Sequence, residues 1–124
     1  MANITFDTQE VLSDVVEGVK GIMSDQQPKL KSFIRSQTRG AVEFGALIVE
    51  GLEKDEITVS QRAVYLEQLE DMITAAAYTV AGAVLAIVEA VWNKMVNIIW
   101  TAINTALTAA IDIALPLPDF GNDN

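Results

Sequence analysis

Carboxylates are the most abundant groups here that could do acid–base chemistry: the 124-residue chain has 17 Asp and Glu against 8 Lys and Arg, with no histidine and no cysteine. Without the last two residue types there is no disulfide framework, no Cys/His zinc site, no thiol nucleophile, no His-assisted serine triad and no imidazole to act as a base near pH 7. The pairs Glu53/Glu56 and Glu67/Asp71 stand at helical i, i+3 and i, i+4 spacing. That spacing describes a solvated helix face, whereas general acid–base work needs a pair in a pocket with divergent pKa values. Gly18-Val19-Lys20-Gly21 has neither the spacing nor the preceding strand of a phosphate-binding loop. A net charge of −9 disfavours the phosphate backbone, and the few aromatic residues are not interleaved with basic ones. The sequence therefore predicts no enzyme, metal, cofactor, small-molecule substrate or nucleic-acid partner.

Two charged features stand out. Lys31, Arg35 and Arg39 recur every four residues and form a basic ridge, followed by Glu43, Glu50, Glu53 and Asp55. This order runs against the helix dipole, which favours acids first and bases last. The ridge is a candidate contact for an anionic surface; the plain alternative is a solvated face that pairs with acids on neighbouring helices. The second feature is Glu89, the one charge between Met72 and Trp92. With Trp92, Asn93 and Lys94 it reads as an interfacial belt, or else as a pore-lining or proton-sensing carboxylate.

The elements that position these residues are helical. Val11, Leu12, Val15, Val16, Val19, Ile22 and Met23 mark one stripe of a helix from Thr8 to Ser24. Asp25-Gln26-Gln27-Pro28 reads as a stop and a new start, and a second helix is expected from Pro28 to about Lys54. Its predicted stripe is Leu30, Phe33, Ile34, Gln37, Ala41, Phe44, Ile48 and Leu52, thickening toward the end through Val42, Ala46, Leu47 and Val49. Thr58 and Gln61 match a capping box that opens a third helix. Nothing strongly breaks the chain between there and Pro116, so either one helix of about 58 residues, close to 87 Å, or a hairpin turning near Asn93-Lys94 is expected. The expected fold is all-α: two amphipathic helices in a charged front (1–57), a long apolar helix or helical hairpin (58–115), and a flexible acidic tail (116–124). Met1 to Asp7 shows no basic n-region or apolar h-region, so no secretory signal is expected.

Residues 72–92 read MITAAAYTVAGAVLAIVEAVW, long enough to cross a hydrocarbon core. A helix apolar all round must be surrounded by lipid or by protein, and a chain this short has too few helices to enclose one alone. Ala75, Thr79, Gly82, Ala83, Ala86 and Ala90 supply rows of small side chains suited to close helix packing. Residues 95–115 form a second apolar stretch. With Asn93 just before it, Asn97, Thr101, Asn104, Thr105, Thr108 and Asp112 make a nearly uncharged polar stripe, suited to an interhelical seam or a channel wall.

In layout alone, a charged helical front before two apolar spans over 72–115 resembles small phage or bacterial membrane-active proteins such as holins, ejection-channel proteins and virion membrane proteins. The long polar front and acidic tail depart from the holin pattern. The resemblance implies a membrane protein that self-associates in contact with a lipid bilayer, the Lys/Arg-bearing front being cytoplasmic by the positive-inside rule, or a component of a virion or other assembly. The alternative is a non-membrane helical structural protein whose apolar helix is buried in a homo-multimer.

Overall fold

The apolar stripe of the first helix becomes one wall of a core: Val11, Leu12, Val15, Val16 and Val19 are all buried in α1 (Thr8–Met23). The computed structural model describes residues 6–23, 28–82, 84–112 and 114–120. Among them the chain is all-helical, continuing with α2 (Pro28–Glu53), α3 (Val59–Ala81) and α4 (Leu85–Ile111). Helix α1 packs on α2 and α4, α3 packs on α2 and α4, and α2 meets α4 across the diagonal. Pairings such as Phe44 with Tyr65, and Gly18 beside Lys94, run in opposite chain directions. The result is a four-helix bundle of antiparallel neighbours.

Local chemistry sets the boundaries. Asp7 caps α1 through its Oδ1, which accepts the Glu10 N–H at 3.2 Å. At the other end of the front, α2 closes in a Schellman motif with Asp55 at φ 59: the Glu56 N–H donates to the Gly51 carbonyl at 2.8 Å and the Asp55 N–H to that of Leu52 at 3.2 Å. Ile57 then folds over Gly51, where a Cβ would sit 2.5 Å from its Cδ1. The capping box is present as expected, with Thr58 and Gln61 each accepting the other's backbone N–H. In α2 most of the expected stripe is buried or half-buried, and Phe33 and Leu47 depart from it. Ile34, Ala41 and Ile48 are buried with Val42 and Val49, but Phe33 is 41% exposed, and Thr38 is buried with its hydroxyl donating to the Ile34 carbonyl at 2.9 Å.

The apolar run departs most from expectation. Gly82 takes φ 82, ψ −142, its N–H bonds the Tyr78 carbonyl, and Val84 is extended at the start of α4, so residues 72–92 are two helices rather than one span. The expected turn at Asn93-Lys94 lies inside α4 instead. No helix among the described residues is long and apolar enough to cross a membrane. This corrects the expectation of a transmembrane helix and of a membrane location with a cytoplasmic front. Its premise changes too: split at Gly82, each half belongs to a longer helix that buries only one face, with Ala75, Tyr78 and Thr79 of α3 and Ala86, Glu89 and Ala90 of α4 exposed. Helix α4 buries one face, including Val88, Val91, Met95, Ile99 and Ile103, against three neighbours, and leaves Asn and Thr on the other. Each fully buried aliphatic side chain contributes about 1.5–3 kcal/mol.

Candidate functional site

Between α1 and α4 lies an open groove of about 620 Å³. Its α4 wall is the polar stripe: Asn93, Asn97, Thr101 and Thr105 follow one another at steps of four residues, with Ala90 and Lys94 beside them. The α1 wall is acidic, with Asp7, Glu10 and Asp14. Two glycines help set the shape. At Gly18 the Lys94 stem crosses α1 so closely that a Cβ would meet its Cγ and Cδ at 3.0 Å, and Gly45 of α2 lies under Phe6, Ile99 and Ile103. The Thr105 hydroxyl donates to the Thr101 carbonyl at 2.8 Å, so its oxygen keeps acceptor capacity. The carboxylates give the groove a net acceptor character on its α1 side, while the Asn amides and Lys94 add donors and Phe6, Val11, Ile98 and Ala102 line it with apolar surface. The acids do not converge: among the described residues no three are grouped to hold a metal ion.

The rest of the stripe goes elsewhere. Asn104 holds the chain beyond α4: its Nδ2 donates to the Leu115 carbonyl at 2.8 Å and its Oδ1 accepts the Leu115 N–H at 2.6 Å. Leu115 is buried, and Phe120 meets Trp92 edge-on at 5.3 Å, so the described part of the acidic tail lies as a strap along α4. Thr108 is exposed, and Asp112 sits at φ 57 as the left-handed C-cap of α4.

The small residues point outward. Ala75, Thr79, Gly82, Ala86 and Ala90 are exposed, whereas Ala83 lies outside the described residues. Around them Tyr78, Val84 and Leu85 are 48%, 55% and 58% exposed. The belt residues separate. Glu89 and Lys94 are exposed, while Trp92 is a core side chain whose Nε1 donates to the Thr74 hydroxyl at 2.9 Å. On the basic ridge Lys31 pairs with Glu17 of α1 at 2.7 Å, Arg35 is half-buried nearby, and Arg39 is exposed. Lys31, by its hydrogen bond and its charge, holds the Glu17 carboxyl below its ordinary value; desolvation opposes it, and Lys20 and Arg35 lower it further by less.

Sequence reasoning missed the α1 acids, because Asp7, Glu10 and Asp14 form a wall only once α1 lies against α4. Their i, i+3, i+7 spacing was the available signal. Comparison with family models, curated proteins and solved structures returned no match, so the functional reading rests on this chain's own residues.

Proposed function

We propose that this chain is a helical structural protein that acts by self-association rather than catalysis. One observation carries the reading: the small residues suited to helix packing, Ala75, Thr79 and Ala86, are turned away from the chain's own core, near the α3–α4 turn with its exposed Tyr78, Val84 and Leu85. Exposed apolar groups gathered at one place favour association. Small side chains there would let a second copy's helix approach closely, and burying Tyr78, Val84 and Leu85 between copies would supply the driving force.

The test exploits the absence of cysteine. Mild oxidation of an Ala86→Cys variant should yield a disulfide-linked dimer. A Ser60→Cys variant, with its exposed probe at the start of α3, should remain a monomer under the same conditions. Equal cross-linking of the two variants, or none in either, contradicts the reading.

A further inference from the structure

We infer that the groove between α1 and α4 of one copy receives the basic ridge of α2 from another, with Arg35 and Arg39 as the inserted groups; this rests on the self-association proposed above. Acceptor chemistry and charge agree on the occupant. The groove presents three carboxylates, Asp7, Glu10 and Asp14, opposite Asn97, Thr101 and Thr105, while its only cation among the described lining residues, Lys94, has its stem laid on Gly18. A guanidinium carries five donors and no acceptor, and bonds carboxylates and amide oxygens through its planar fork.

The ridge supplies such groups at a matching interval. Arg35 and Arg39 are one helical step of four apart, about 6 Å along the axis, as are Glu10 and Asp14 on one wall and Asn97 and Thr101 on the other. Within its own molecule the ridge is only partly neutralised: among the described residues its one ion pair is Lys31 with Glu17. No acid stands in the first turn of α2, where Lys29 and Lys31 oppose the helix dipole. An anionic surface from a second copy would relieve that arrangement.

The net charge of −9 opposes this contact at long range. Screening separates the two effects. The Debye length is about 30 Å at 0.01 M salt, about 8 Å at 0.15 M and about 3 Å at 1 M. Whole-molecule repulsion should weaken association at the lowest salt, and loss of the contact pairs should weaken it at the highest, leaving a maximum between. Assembly through apolar contact alone would not weaken as a kosmotropic salt such as sulfate is raised.

The experiment is sedimentation velocity of the full chain in sodium sulfate at those three ionic strengths, followed by a charge swap. Glu10→Lys with Asp14→Lys in one variant, and Arg35→Glu with Arg39→Glu in another, should each associate about tenfold or more weakly, and mixing the two should restore the assembly. Circular dichroism confirms that each variant is folded, and Arg39→Ala, at an exposed site, provides a milder substitute for the second variant. Variants that keep the parent's size, or a mixture that stays dissociated, overturn the inference. Should those variants assemble normally while Leu85→Glu does not, the apolar contact stands and the groove contact falls. A parent chain that is monomeric at every salt concentration removes both.

Discussion

Gly82 decides at a single residue what a run of 21 residues becomes. Its φ of 82 with ψ −142 lies where side chains with a Cβ are strained, although nothing lies within 4 Å of the place a Cβ would take. The penalty of Gly82→Ala is therefore one of backbone conformation, about 1–3 kcal/mol. It should appear as a lower Tm of the monomer, whereas a glycine needed only for close packing between copies would leave that Tm unchanged. Glu17 offers a second test at this scale. Its carboxyl titrates below its ordinary value because Lys31 favours the charged form, so the pair's contribution is present above the carboxylate range and is lost as pH falls through the lowered value. Both side chains are about half exposed, which keeps that contribution small. Replacing Glu17 with Gln should reduce the acid sensitivity of unfolding slightly and leave stability at high pH lower than the parent's; identical pH profiles would contradict the pairing.

At the scale of elements, the strap depends on one amide. Asn104 gives Leu115 the two bonds that a neighbouring strand would give, and Phe120 then reaches Trp92. Asn104→Ala should release residues 112–120 without unwinding α4: limited proteolysis there should quicken and tryptophan emission should change, while helical circular dichroism holds. Unchanged protection would mean that Leu115 and Phe120 hold the strap without Asn104. These cases also show which parts of the structure were legible in the chain. Local signals were: the stripe of α1, the start of α2 at Pro28, and the Thr58/Gln61 box each depend on residues a turn or two apart, while the stop read at Asp25-Gln26-Gln27 lies outside the described residues. Asn104, Trp92 and Thr38 were not, because a polar group's partner is set by tertiary packing. Gly82 was visible as a residue type, but in an alanine-rich run it reads equally as a packing contact or a break. The groove was half legible: its Asn/Thr wall stood out as a stripe, and its acidic wall did not.

For the whole molecule, charge and apolar surface are segregated. The first 71 positions hold most of the charged residues, and the α3–α4 turn carries exposed Tyr78, Val84 and Leu85. A bundle of this kind buries enough apolar surface to fold and still leaves a patch for a neighbour. The proposed self-association does not require lipid, so the assembly should form in buffer without detergent. Sedimentation velocity of the full chain without detergent, over a hundredfold range of concentration, tests that claim most directly. A defined species whose mass is a multiple of 13.4 kDa, and which Leu85→Glu dissociates, is the expected result. A single 13.4 kDa species at every concentration would contradict it.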